Sequence, residues 1–407
     1  MNLSRLLPVY FVVFVGFLGY SMMIAVFTPM FLHGSGHLVS PDASHSAKTI
    51  LLGVVLCMYP LGQFISSSII GSLSDKYGRR PVLIFSLVFS LLCYVVMARA
   101  IEVESLWLLI IALVAAGLSE GNIVIGQSAI SDVSDATHRG RFFGYIYMSA
   151  SLAYVVGPLV GGKLASPSVV SWFSYATPFW AMLVPMVITL GAVCVFFKET
   201  RVPSASVHVH WLDSLANLSH VFLPGHTRIL YFANFAFYLG IFGFFRCYPM
   251  YFVDQFNMGV SRVSEFIAWF SVPIIIGSVW LAGALTARYP IAKVTIWSAI
   301  FTALSMILIV IPSSPNALWV TLVIVGLPLS VCMTSCATML SVSVPAEKQG
   351  SVLGNNQALQ VFAESVSGLI GGFIAALMVK ASLAAMAGFV LIGAVALLVR
   401  HRVKDGD

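Results

Sequence analysis

Charge is what this chain has least of. Acidic and basic residues together make up 9% of its 407 positions, against about 25% in soluble domains. That scarcity, with 59% hydrophobic residues and a mean hydropathy of +0.97, excludes an ordinary soluble fold and leaves a polytopic membrane protein. Cysteine is sparse as well. The six thiols (Cys57, Cys93, Cys194, Cys247, Cys332, Cys336) fall in apolar runs without the spacing of metal ligands, so they read as free, packed as small hydrophobes, with no disulfide and no metal expected. The chain has no phosphate-binding loop of the G-x-x-x-x-G-K-S/T type, which removes ATP as an energy source. Nor does it place a nucleophile beside a base at membrane depth, so an enzyme is not expected. Its first apolar run has no small-residue cleavage site and is long enough to span, so it reads as a first helix and not as a removable leader.

What the chain does have is apolar runs of about 20 residues, the length needed to cross about 30 Å of hydrocarbon. Twelve fit: 7–32, 49–72, 82–100, 106–128, 143–165, 174–197, 229–252, 262–285, 291–312, 317–342, 353–379 and 382–400. An even number puts both termini on one side. Of the 21 basic residues, all but Lys48, Arg99, Lys163, Arg246, Arg262 and Lys380 fall on that side, which the bias of Lys and Arg toward cytoplasmic loops makes the cytoplasm. The net charge of +6 is then a consequence of topology, with some attraction to anionic membrane lipids, and argues for no nucleic acid partner.

The longest polar stretch, 198–227, divides the chain into an N-terminal six-helix bundle (1–197), a cytoplasmic linker and a C-terminal six-helix bundle (228–407). His208 and His210 in the linker read as solvated side chains. The two halves repeat weakly. The run Gly71-Ser-Leu-Ser-Asp-Lys-Tyr-Gly-Arg-Arg is echoed by Gly283-Ala-Leu-Thr-Ala-Arg-Tyr, and Arg139-Gly140, Gly144 and Gly161-Gly162 are echoed by Gln349-Gly350, Gly354 and Gly371-Gly372.

The run at 71–80, acid, base and glycine packed into a short turn between apolar segments, resembles the signature joining helices 2 and 3 of major facilitator superfamily transporters. Pro81-Val82-Leu83 extends the likeness toward the drug/proton antiporters, and the tetracycline-efflux-like group is the nearest in character. The resemblance implies an all-α membrane protein with 12 transmembrane helices in two pseudo-symmetric bundles, rocking about a substrate site near the midplane. It further implies that Asp75 faces the end of helix 11 and that Arg79 pairs with an acid at the end of helix 4, here Asp132. Gly71, Asp75, Gly78, Arg79, Arg80, Asp132 and Arg139 are accordingly expected to serve gating.

Gly157-Pro158-Leu159-Val160-Gly161-Gly162 resembles a helix 5 element associated with exporters in that superfamily. Glycine permits close helix approach and proline bends the helix, so Gly157, Pro158, Gly161 and Gly162 suit either a hinge or a tight crossing. Helix 4 departs from the antiporter pattern: leucine, Leu113, stands where an arginine is usual. Instead it carries Glu120, Asn122 and Gln127, and helical periodicity puts 113, 117, 120, 124 and 127 on one stripe. Helix 11 offers Gln357, Gln360 and Glu364 at i, i+3 and i+7, a stripe too costly to face lipid.

Glu120 and Glu364 are therefore the proton-coupling candidates. Substrate-binding candidates are Arg246, the cation deepest in a span, with Gln63, Asn122, Gln127, Asn234, Gln357 and Gln360. Arg246 could hold a substrate carboxylate or form an outer gate with Glu364. The expected activity is secondary transport of a small organic molecule by alternating access, most simply proton-coupled export across a bacterial inner membrane by a monomer, with the proton gradient as energy source and no cofactor. Import or export of a carboxylate metabolite or siderophore is one alternative. A non-transporting sensor or scaffold is another, since fold does not fix function.

Overall fold

The computed structural model describes residues 7–33, 38–40, 42–133, 136–200, 228–344 and 346–405, with the backbone alone at 68, 122, 123, 131, 136–144, 147, 346–351, 353 and 401–405. Fourteen α-helices occupy these residues: α1 Leu7–His33, α2 His45–Tyr77, α3 Arg79–Glu102, α4 Leu106–Ser119, α5 Asn122–Val133, α6 Ala136–Leu164, α7 Thr177–Phe196, α8 Arg228–Phe256, α9 Val260–Ile276, α10 Ala282–Arg288, α11 Ile291–Leu308, α12 Leu318–Val342, α13 Ala346–Leu377 and α14 Val379–Asp405. Eleven stretches among the described residues are long and apolar enough to cross a membrane, and α6, in the place of the expected fifth span, is a further helix of 29 residues. Most of the expected linker, with His208 and His210, lies outside the described residues.

In hydrocarbon every backbone polar group must be satisfied within the protein, which is why helices carry the architecture of the described residues. Hydroxyls on the spans are absorbed locally. Thr28 donates to the Ile24 carbonyl at 2.9 Å and Thr302 to that of Ser298 at 2.7 Å, so these polar side chains expose no unmet donor to lipid. Prolines inside α1, α2, α6, α7, α8, α9 and α12 are tolerated on the same terms.

Among the described residues two spans are interrupted. The fourth was expected to be continuous from 106 to 128, but α4 ends at Ser119, Glu120 caps it with φ −84° and ψ 26°, and α5 restarts at Asn122. Gly121, a weak helix former between two polar residues, marks the seam. The single stripe expected from 113 to 127 is thus broken at Glu120, and Gln127 belongs to a separate helix. The eighth span contains a π-helical turn, Gly277–Leu281, between α9 and α10.

The chain forms two compact units: Met1–Pro41 with Met58–Ser214 and Val260–Ala268, and Asp42–Cys57 with Leu215–Gly259 and Trp269–Asp407. Their internal packing repeats. In the first unit α1 packs on α6 and α7, and α3 on α4 and α7; in the second α8 packs on α13 and α14, and α11 on α12 and α14. Counted as spans, these are the same pairs in each, the physical form of the weak repeat in the sequence. The first unit is knit by an apolar cluster including Val12, Ile70, Leu87, Ile125 and Val193. In the second, Phe244, Tyr248 and Phe270 meet with ring centroids 5.2–5.9 Å apart.

Candidate functional site

The turn between α2 and α3 is built around Arg79. Its guanidinium, 4% exposed, lies 2.7 Å from Asp75 and 3.1 Å from Asp132, and donates to Ser74 Oγ at 2.5 Å. Arg79 and Asp132 are thus brought together, and Asp75 joins them four residues back on the same turn. Gly78 holds φ +101°, a conformation in which side chains other than glycine are strained. Glu199 closes the cluster: one carboxylate oxygen accepts from Arg79 N at 2.8 Å and the other from Arg80 N at 3.0 Å. This places a negative charge on the exposed amides that begin α3, where the helix dipole favours it. Thr200 donates to Asp132 and Arg80 to the Cys194 carbonyl at 2.5 Å, so the last turn of α7 and the residues just after it bind the same cluster. Glu199 was not foreseen; its sequence signal was the acid placed directly behind the sixth apolar run. Gly71 packs near Val124, and the side chain of Arg139 lies outside the described residues.

The Gly157–Gly162 element is a tight crossing. A Cβ on Gly157 or Gly161 would collide with Ser21 or Met22 of α1, and one on Gly162 with Ser264 of α9. Its repeat counterpart behaves alike in the second unit, where a Cβ on Gly372 of α13 would fall 2.8 Å from the Gly53 Cα of α2. Pro158 lies inside α6.

Among the described residues each unit buries one acid. Glu120, 8% exposed, sits at the seam between α4 and α5, where the Tyr59 hydroxyl hydrogen-bonds to it and Tyr94 lies close by. Tyr20 stacks on Tyr59 at 5.1 Å. Side-chain space comes from α1, where a Cβ on Gly16 would overlap the Glu120 carboxylate. Gln63 and Gln127 are half-buried in the same unit, and the side chain of Asn122 lies outside the described residues.

In the second unit Glu364, also 8% exposed, faces Arg246 across 3.5 Å, and the guanidinium donates to the Leu56 carbonyl at 3.0 Å. Cys57 and Ser365 meet at 3.4 Å beside them. Arg246 is 2% exposed along its side chain. That cost is met by pairing with a charge and a carbonyl. About two turns toward the N-terminal end of α13, Asn234 donates to Asn356 at 2.9 Å, and Asn356 donates to the Tyr238 hydroxyl at 2.8 Å. On α13 Gln357 is exposed and Gln360 half-buried, while the neighbouring Asn356 makes the buried contacts. Asn356 is held inward by two partners on α8 that a reading of α13 alone does not contain.

The family model for the Major Facilitator Superfamily matches residues 9–354 and 230–407. A class H tetracycline resistance protein of Pasteurella multocida is 34% identical over 170 residues, 42% of this chain and 40% of that protein; the chain thus aligns with about two fifths of that relative's length. The quinolone resistance protein NorA of Staphylococcus aureus is 22% identical over 98% of both chains. Among solved structures, the human organic anion transporter MFSD10 superposes with a TM-score of 0.72 at 17% identity, covering 98% of this chain and 100% of that one. A D-xylose-proton symporter gives 0.72 at 15% identity over 95% and 97%. These two likenesses carry the fold alone. The match of the family model over nearly the whole chain, with the apolar helices, places it: this is a multi-pass membrane protein that belongs to the Major Facilitator Superfamily.

Proposed function

We propose that this transporter exports a small organic compound across a bacterial inner membrane by alternating access, driven by the proton gradient, with Glu120 and Glu364 as the proton-carrying carboxylates and both termini in the cytoplasm. The observation that carries the reading is the presence of one buried acid in each unit, Glu120 beside Tyr59 and Glu364 opposite Arg246. Ionisable groups at membrane depth are costly and are kept for ion or substrate handling. Export is supported by the names of the relatives, which are drug resistance proteins.

Protonation of Glu364 removes the charge that faces Arg246, which frees the guanidinium to meet an anionic group or rearrange. Glu120, seated at a break in its span, bonds through its N–H to the Gly117 carbonyl and through its carboxylate to the Tyr59 hydroxyl, so gain or loss of a proton there changes the contacts made at the seam of α4 and α5. Gln63, Gln127, Asn234, Gln357 and Gln360 supply amides for the substrate, and the Asp75, Arg79 and Asp132 cluster supplies the conformational latch. A second reading, transport of a carboxylate metabolite or siderophore, is favoured by Arg246 itself, a buried cation able to hold a carboxylate in bidentate fashion.

The test is reconstitution in liposomes under an imposed pH gradient, following internal pH while drugs, carboxylates and siderophores are added. Substrate-dependent proton flux that is lost in Glu120→Gln or Glu364→Gln supports the coupling residues. Flux that survives both substitutions removes them, and stimulation by carboxylates alone selects the second reading.

A further inference from the structure

The second unit carries a cavity of about 770 Å³ that is separate from the buried acids and amides, bounded by α10, α11 and α12. Along α11 its lining runs from Lys293 through Trp297, Phe301 and Leu304 to Leu308. At 1.5 Å per residue this stripe is about 22 Å long, more than the roughly 15 Å of hydrocarbon in one leaflet. Trp297, Phe301 and Leu304 are more than half exposed. The lining is apolar nearly throughout, and Lys293 is its single charged residue. Lys293 stands at one end with Tyr289, while Arg288 closes α10 immediately before them.

We infer that this groove is a binding site for an anionic diacyl phospholipid. One tail lies along α11 between Trp297 and Leu308, and the phosphate and headgroup sit on Lys293, with Arg288 adding to the local positive charge. The charge complementarity is the ground for choosing this occupant. A zwitterionic lipid or an apolar solute would fill the groove equally well but would make less use of the lysine at its mouth. Tyr289 and Trp297, each more than half exposed, have the amphipathic character that suits aromatic side chains to the headgroup level. Basic pockets between spanning helices bind anionic headgroups by this combination of a charged mouth and an apolar shaft. The site is independent of the transport reading above, since none of its lining residues belongs to the proposed coupling or substrate groups.

Native mass spectrometry of the full chain with defined lipid addition tests the assignment. The parent protein, given equal amounts of phosphatidylglycerol and phosphatidylcholine of the same tails, should retain the anionic lipid preferentially. Lys293→Gln should cut that preference about fivefold, and Leu304→Trp, which adds bulk at the groove wall, should lower retention of the bound lipid whatever its headgroup. Lys380→Gln, remote from the groove, serves as the control and should retain the parent's preference. Thermal unfolding of each variant establishes that it is folded before its lipid count is read. Equal retention of the two lipids by the parent, an anionic preference that survives Lys293→Gln, or the same loss in Lys380→Gln as in Lys293→Gln would overturn the site.

Discussion

Arg246 and Glu364 face one another at 3.5 Å on neighbouring helices of the second unit, with the arginine side chain 2% and the glutamate 11% exposed. Removing one partner of a buried pair strands the other charge, at about 3–5 kcal/mol. Glu364→Gln should therefore lower the thermal unfolding midpoint in detergent as well as abolish coupled transport. The double substitution Arg246→Met with Glu364→Leu should recover most of the stability and none of the transport. A Glu364→Gln protein as stable as its parent would mean that the pair carries no such load.

The helix start at Arg79 gives a second test. Glu199→Ala removes a carboxylate that accepts from the first two backbone N–H groups of α3, a loss of about 1–2 kcal/mol by analogy with other helix caps. Arg79→Lys keeps the charge but cannot reach Asp75, Asp132 and Ser74 together with one ammonium. Both should reduce transport rate more than substrate affinity if the cluster acts as a latch, which initial-rate measurements over a range of substrate concentrations would read.

Close approach of α2 and α13 yields a third expectation. Gly372→Ala forces a methyl group against the Gly53 backbone and should cost about 1–3 kcal/mol as overpacking. Gly388→Ala, where an added Cβ meets nothing within 4 Å, should be close to neutral. Thermal unfolding of the two variants side by side separates crowding from any general effect of losing a glycine.

The amide relay Asn234, Asn356, Tyr238 is suited to a double-mutant cycle. Asn356→Leu leaves the Asn234 amide and the Tyr238 hydroxyl without that partner, a cost of about 1–2 kcal/mol within membranes. Adding Asn234→Leu should cost less than the sum of the single changes, because the stranded amide disappears with it. Strict additivity would show that the two side chains are not energetically coupled.

Much of the architecture was legible in the sequence because its signals are local. Apolar run length gives the spans, and the acid, base and glycine pattern at 71–80 gives the turn whose Arg79 meets Asp132. Features that depend on a partner far along the chain were not legible. The break at Glu120 looks, in one dimension, like a few polar residues in a continuous helix. That Asn356 is buried and the adjacent Gln357 is not depends on Asn234 and Tyr238 of α8, more than a hundred positions away. Glu199 lies some 120 positions from the amides it caps, and nothing in the turn itself asks for it.

The π-helical turn at Gly277–Leu281 bears on how this span tolerates a change in length. A π turn accommodates one residue more than the α ladder would, so the segments on either side of it keep facings that an unbroken α-helix could not give both. Excising a single residue at Val279 would let the ladder close, but at 100° per residue it would swing the faces of α9 and α10 out of their present relation and carry Leu281 and Leu285 away from their neighbours on α11 and α12. An alignment that silently deletes one position there would thus describe a different surface on every residue that follows in α10.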